Sequence, residues 1–435
     1  VLENYRREVL PNGLSVLGVQ REDLHSFVCS LYVRVGPRFE PEERTGLSHF
    51  LEHMLVQGSQ KFPTSNAIMR GVEDLGGIIE AQTYPEMMRL VFGVHRKHWA
   101  DVMEIAADVV LRPLFDPAEV EQEKAIIAQE IMHNRDREGR NISASELVHE
   151  LLFKEQVSEA GTRGSPQIMA GFDRGMVEAH YRRFFVPGNM VVCLAGGFDF
   201  DEVLGAVAEE FGTMDAGEAP RLAGPEVGER RARSIYRTTE ALPVVEALLS
   251  HHAYAAGEEA HDAARAVAQL LGGGLSSRLF SRVREELGLV YDITSHAHAF
   301  SDAGSLDVYL SVGVENLAAA FRATLEELRR VTEGNFDAAE LARYKESVRC
   351  GMDILCDQPM HLADWFGRQE LLLGPERVVT PPQYVEKQEA LTLEVLHETM
   401  RHVFVETGAN LAVVGPYGEK EKDELRRMMP AEEPC

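Results

Sequence analysis

The sequence predicts an α+β chain of two homologous α/β-sandwich-like halves, each an antiparallel-rich sheet with helices on one side. Three observations carry this reading. Strand-like and helix-like stretches come in the same order in both halves, two strands and then a helix. Glu73-Asp-Leu-Gly76 is echoed by Glu285-Glu-Leu-Gly288 at an offset of 212, and Asn189-Met-Val-Val192 by Asn410-Leu-Ala-Val413 at an offset of 221. Between the copies, Asp215–Gly228 gathers Gly217, Pro220, Gly224, Pro225 and Gly228 without periodicity and reads as a linker. The expected division is a first domain at 1–215, a linker at 216–232 and a second domain at 233–435.

The elements follow in order. Pro11-Asn12-Gly13 is a turn signal ahead of a short strand, Leu14–Val19. In Ser26–Val35, Phe27, Cys29, Leu31, Val33 and Val35 alternate with Ser30, Tyr32 and Arg34, the pattern of a half-buried strand. Gly46–Leu55 carries Leu47, Phe50, Leu51, Met54 and Leu55 at helical spacing, with Thr45 as the expected N-cap. Ser65–Leu75 is helical and ends at Gly76-Gly77. Ile78–Thr83 and Met88–Val94 read as a hairpin, and Trp99–Leu111 as an amphipathic helix closed by Pro113. Asp116-Pro117 opens a helix reaching about Asn134, with Asp as cap and Pro at its first position. Helices at Ser143–Phe153, Gly175–Phe184 and Asp201–Phe211 and a strand at Asn189–Ala195 complete the first half. In the second, Leu306, Val308, Leu310 and Val312 alternate, and Asn316–Val331 is helical.

Composition bounds the function. The chain has 435 residues, enough for two sizeable cores, and its 45% hydrophobic content excludes disorder. With 44 basic and 70 acidic residues the net charge is −26, a field that repels a phosphate backbone and argues against nucleic acid as a partner. No apolar run reaches the length of a membrane span. Five scattered cysteines make no disulfide framework. Cytoplasm is the default location. Val1 is not a natural start, which leaves a trimmed leader, and with it a periplasmic or secreted location, open.

The chemistry concentrates in Gly46–Leu55. His49, Glu52 and His53 stand in the order H-x-x-E-H. Residues four apart on a helix project from one face, so the two imidazoles meet and Glu52 lies beside them. Two neutral nitrogens with a neighbouring carboxylate are what a catalytic zinc site needs: two ligands, and a base for the water that zinc activates. The order is the inverse of H-E-x-x-H, the inverzincin pattern. Such a pattern alone does not decide between a site and an ordinary polar helix face. Glu123 and Glu130, two turns apart on one helix face, are likewise ordinary by themselves. With the offset of 212, His49, Glu52 and His53 fall on His261, Ala264 and Arg265, so the second copy lacks the motif. One half with the chemistry and one without suggest a site where the halves face each other. His251-His252 and His296-x-His298 are weak candidates for a second metal site, and Gly272–Gly274 lacks the Lys of a phosphate loop.

These motifs together resemble the pitrilysin/insulinase/mitochondrial-processing-peptidase family of zinc peptidases. The resemblance rests on His49-x-x-Glu52-His53 with Glu130 placed 77 residues on, and on Leu10-Pro-Asn-Gly-Leu14, Glu52-His-Met-Leu-Val-Gln-Gly58 and Pro187-x-Asn189-Met. In the second half it rests on Gly272-Gly-Gly-Leu-Ser-Ser-Arg278-Leu-Phe280 and Arg284-Glu-x-x-Gly-Leu-x-Tyr291. It spans nearly the whole chain, and the length is similar to that of bacterial-type members with one pair of domains.

The resemblance implies one Zn2+ per chain held by His49, His53 and Glu130, with Glu52 as general base and Glu123 as a carboxylate behind the ligands. It implies that Arg284 and Tyr291 reach the site from the second domain, Arg284 to hold a substrate carbonyl and Tyr291 to donate to the oxyanion. The strand holding Glu80, Ala81, Gln82 and Thr83 corresponds to the family's substrate-binding edge, where a peptide adds as an extra strand. Glu80 stands where the family usually has Asn. A carboxylate added beside a glutamate-rich site is expected to disfavour acidic side chains and to favour basic ones. The implied function is a zinc metalloendopeptidase cleaving unfolded peptides or small proteins inside a chamber between the two halves. The chain is expected to act as a homodimer or as a heterodimer with a paralogue. The alternatives are a peptidase dedicated to one leader or pro-peptide, and a non-catalytic structural subunit of the same fold.

Overall fold

The computed structural model describes residues 5–153, 163–217, 219–220, 222, 231–405 and 408–430. Most of the expected linker at 216–232 lies outside them. The first half runs β1 (Tyr5–Val9), β2 (Ser15–Gln20), β3 (Ser26–Val33), α1 (Leu47–Leu55), α2 (Ser65–Glu73), β4 (Ile78–Thr83) and β5 (Met88–His95). It continues through α3 (Trp99–Leu111), α4 (Pro117–Met132), α5 (Ala144–Phe153), α6 (Pro166–Met169), α7 (Arg174–Phe184), β6 (Met190–Gly196) and α8 (Phe200–Phe211). The second half runs β7 (Arg233–Thr238), β8 (Val245–Ala253), α9 (Ala260–Gly272), a π-helical turn (Phe280–Glu286), β9 (Asp292–Ala299) and β10 (Gly304–Val312). Then come α10 (Leu317–Thr332), α11 (Ala338–Cys356), α12 (Pro359–Leu373), α13 (Pro381–Glu389), α14 (Leu393–Val403), β11 (Asn410–Gly415) and α15 (Glu419–Met428).

The strands form two sheets, of order β1-β2-β6-β3-β5-β4 and β7-β11-β8-β10-β9. Each has one parallel pair, β2 with β6 and β7 with β11, and is otherwise antiparallel. With β1 set aside, the two orders are the same strand for strand, as the repeated sequence fragments lead one to expect. β1 (YRREV) and β7 (RSIYRT) have no place in the sequence reading. Both are edge strands of mixed polarity, and an edge strand with little to bury shows little alternation.

By contacts the chain divides into two units: Val1–Ile131 with Ala160–Ala223 and Met352–Gln383, and Met132–Glu159 with Gly224–Gly351 and Tyr384–Cys435. Each unit thus includes a segment from the other half of the sequence. In the first unit the main core lies between one sheet face and helices including α1, α3, α7 and α8. The other face carries α12, whose Leu362, Ala363, Phe366 and Leu371 cover Leu17, Val28, Tyr32 and Val191. This second cover explains why β3 and β6 are buried along nearly their whole length rather than alternately. Gly367 lets α12 pass over Tyr32, since a Cβ there would come within 2.2 Å of the ring. Arg7 on β1 holds the buried Glu370 of α12 at 2.8 Å. Stacking of Tyr5 on Phe366, with ring centroids 4.5 Å apart, adds to the same seam.

The second unit repeats the arrangement. Its main core joins one sheet face to α9, α10 and α14. On the other face α5 presents Ala144, Leu147 and Val148 to Leu248, Ala412 and Val414. His149 on α5 lies 3.0 Å from the buried Asp307 of β10, which also accepts a bond from Ser250. No helix among the described residues is long and apolar enough to cross a membrane.

Candidate active site

The site begins with how α1 starts. Thr45 is not its N-cap. Its hydroxyl turns back to Glu42 O, and Gly46, at φ +95°, begins the helix with no side-chain cap of its own. Only glycine takes that conformation without strain. The missing acceptor comes from Glu40, whose carboxylate takes the Gly46 and Ser48 amides at 2.7 and 2.5 Å. Burial pushes the Glu40 carboxyl up to about 7, against the pull of these bonds. Leu47, Phe50, Leu51, Met54 and Leu55 then anchor one side of α1 in the core, as their spacing predicts.

The other side holds the two histidines, with ring centroids 4.7 Å apart and planes at 79°. Glu130 comes to them from α4, its Oε2 lying 3.6 Å from His49 Nε2 and 3.8 Å from His53 Nε2. This trio is the one group among the described residues whose donor atoms could share a metal ion, all lying within 4.8 Å of one another. Ligands on a tetrahedral zinc sit roughly 3.3 Å apart, and Glu130 stands near that separation from both histidines. The chemistry of the trio also fits, being two imidazole nitrogens and one carboxylate. Burial, aided by His53 and Arg163, holds His49 down to about 3, so its lone pair stays free for a metal.

Behind the two histidines lies Glu123, almost sealed from solvent at 2% side-chain exposure. Its Oε2 is 3.1 Å from His53 Nδ1. A carboxylate can only accept, so His53 donates from Nδ1 and keeps the Nε2 lone pair for the Glu130 side. Burial opposes charge on His53, but the Glu123 bond and the charges of Glu130 and Glu52 outweigh it and raise its pKa. Glu52, beside His53, accepts a 2.6 Å bond from Thr83 Oγ1. Burial raises its pKa, and the Thr83 bond works the other way.

Thr83 ends β4, the edge strand of its sheet. Along β4, Ile79 and Ala81 pack on the core that holds α1, and Thr83 meets Glu52. Glu80 and Gln82 therefore face the other way. Glu80 is 3.6 Å from Arg89, which in turn lies 3.1 Å from Asp364 on α12. This corrects the expectation that Glu80 adds its charge to the glutamates around the histidines: it lies on the opposite face, beside a cation. Arg284 and Tyr291 belong to the second unit. Arg284, in the π-helical turn, lies over the Phe280 ring with 4.7 Å to its centroid and 4.0 Å from Asp292. Tyr291, just before β9, is 77% exposed.

The weak histidine candidates hold no metal-ligating group among the described residues. His298 lies 3.6 Å from Asp307, opposite His149, and His251 packs on Phe404. Sequence reasoning missed Glu40, Gln57 and the pairing of Thr83 with Glu52. Gln57 follows His53 by four residues, as His53 follows His49, and that spacing was the available signal.

The insulinase model of peptidase family M16 matches residues 16–164, which contain every member of this cluster. The family's inactive-domain model matches residues 171–348. The chain belongs to peptidase family M16. An uncharacterized zinc protease of Mycobacterium bovis is 30% identical to it over 434 residues, covering 98% of this chain and 96% of that one. The uncharacterized zinc protease YmxG of Bacillus subtilis is 26% identical over 418 residues, covering 95% and 98%. Among solved structures, a protease from Helicobacter pylori shares the fold with a TM-score of 0.86 at 17% identity, over 96% of this chain and all of that one. An M16 inactive domain from Pseudomonas fluorescens does so with a TM-score of 0.84 at 18% identity, over 99% and 100%. The inactive-domain match begins late in the first half and takes in Ala264 and Arg265, which stand where the first half has Glu52 and His53.

Proposed function

We propose that this M16 chain is a zinc-dependent metalloendopeptidase acting on unfolded peptides or small proteins, with Glu52 as the base. The observation that carries the proposal is the convergence of His49 Nε2, His53 Nε2 and Glu130 Oε2, with the Glu52 carboxylate on the same helix turn. Zinc held by these donors would polarise the scissile carbonyl and lower the pKa of a water. Glu52 would take the proton of the attacking water and return it to the leaving amine. Its raised pKa suits a group that must both accept and release. Thr83 fixes the carboxylate by a bond from the substrate edge, and a peptide extended along β4 brings its backbone to the same place.

Arg284 and Tyr291 take the roles of holding a substrate carbonyl and donating to the oxyanion. They are assigned on the motif they share with the family and on the exposure of Tyr291. A chamber that admits only unfolded chains belongs to the same proposal, as does a dimeric working unit. The first requires that a folded protein resist cleavage that its denatured form undergoes, and light scattering measures the second.

Glu52→Gln decides the central point. Zinc content by metal analysis stays at about one per chain, while cleavage of a quenched peptide falls by roughly 10²–10⁴-fold. Full activity in that variant would remove the mechanism. The complete donor set disfavours a purely structural subunit, and wild-type protein without chelator-sensitive cleavage would restore that reading.

A further inference from the structure

Glu123 poses a problem of its own. A carboxylate at 2% exposure must have its oxygens satisfied by donors, or its burial destabilises the protein. One oxygen has His53. The other, Oε1, accepts from Gln57 Nε2 at 2.6 Å. The assignment of the amide is fixed by its partner, since a carboxylate offers no proton and only the NH2 end of Gln57 can face it.

Gln57 is well placed for this task. It lies just past the C-cap of α1, and its backbone N–H donates to Met54 O. His49, His53 and Gln57 thus form one stripe at intervals of four. The chain of contacts runs from Gln57 through Glu123 to His53, and then to the face where Glu130 waits. The two imidazoles are not held alike. His49 Nδ1 is buried and has no hydrogen-bond partner among the described residues. Outer orientation of the ligand set therefore falls on His53, and through it on Glu123 and the residue that fixes Glu123. A glutamate side chain held at one oxygen can still swing about its last bond, whereas one held at both cannot.

We propose that Gln57 is a positioning residue of the metal centre, locking Glu123 so that His53 keeps the ring orientation and tautomer a metal requires. This rests on reading the His49, His53 and Glu130 cluster as the zinc site. Gln57 touches neither metal nor substrate. Its effect is read in metal affinity first and in turnover second.

The test uses the full chain and zinc itself, in competition with a chromophoric chelator, beside kcat and KM on a quenched peptide at saturating zinc. Gln57→Leu keeps the bulk and removes the donor. It raises the zinc Kd by about 10–100-fold, lowers the melting temperature of the metal-free protein because one buried Glu123 oxygen loses its donor, and lowers kcat more than it raises KM. Gln57→Lys restores a donor within reach of Glu123 and returns the Kd toward wild type. A Gln57→Leu protein that holds zinc as tightly as wild type, while His53→Ala does not, overturns the role of Gln57 and leaves the metal site standing. Weaker zinc binding accompanied by an equal loss in the melting temperature of both Leu and Lys variants overturns it too, as mere destabilisation. Wild-type protein that fails to bind zinc overturns the site reading and this inference with it.

Discussion

At the scale of single residues, the site is a set of ordinary groups altered by burial and by one partner each. His49 is kept neutral by burial, His53 is turned by Glu123, and Glu52 is held by Thr83. The Thr83 contact yields a prediction in which the sign matters. Its hydrogen bond favours the ionised form of Glu52, so removing it raises the Glu52 pKa further. On the proposed role of Glu52 as base, it must be ionised to act, so in Thr83→Val the acid limb of kcat/KM moves to higher pH, by roughly one unit for a bond worth about 1.5 kcal/mol. Thr83→Ser, which keeps the hydroxyl, stays near wild type. Superimposed pH profiles for Val and wild type would show that the bond does not tune the base. Glu80 gives the opposite lesson. Its charge is legible in the sequence, but which side of the strand it occupies relative to the histidines emerges only from the sheet.

Among the elements, α1 shows how much a short helix depends on its surroundings. Nine residues seldom form a stable helix alone, and this one lacks a capping side chain. Glu40 supplies the cap from outside, and the cost is visible in its pKa. The Glu40 carboxyl titrates at about 7 in the folded protein, against an ordinary value near 4.5. Between those values the folded state binds more protons than the unfolded one, so stability falls as pH rises through that window. Above pH 7 the full cost applies, about 3 kcal/mol relative to pH below 4.5. Glu40→Gln removes this slope. Urea titrations at pH 5 and pH 8 should show wild-type stability falling more than that of the variant. Equal changes in the two proteins would mean that Glu40 is ionised in the fold at both pH values. The π-helical turn Phe280–Glu286 belongs to this scale as well. Its apolar and charged residues read as plain helix, and nothing local in them announces the wider turn that carries Arg284.

Over the whole molecule, each sheet is closed on its second face by a helix from the opposite half of the sequence, α12 for the first and α5 for the second. For the first unit this makes residues near position 366 part of the sheet that carries the site. Phe366 is fully buried and stacks on Tyr5. Phe366→Ala should therefore destabilise the unit by about 3–5 kcal/mol, although it lies more than 300 residues from the histidines in sequence. Denaturation followed by the signal of a zinc-site probe tests this. A variant whose metal site unfolds at the wild-type denaturant concentration would show that α12 is dispensable to it.

What the sequence determined by itself is whatever has a short period. The stripe of α1, the H-x-x-E-H order and the strand character of β3 and β10 are all readable there. Each is set by a backbone geometry that recurs every two to four residues. Glu130 could be named because the motif resembles a family's, not because spacing alone brings it to the histidines. Tertiary structure decided the rest: Glu40 as the cap of α1, Gln57 as the second support of Glu123, Glu80 on the far face, and the second cover of each sheet. These are contacts between residues tens to hundreds of positions apart, such as Arg7 with Glu370. No local period records such a pairing, because it is chosen by which buried surfaces and unpaired polar groups fit once the sheets have formed.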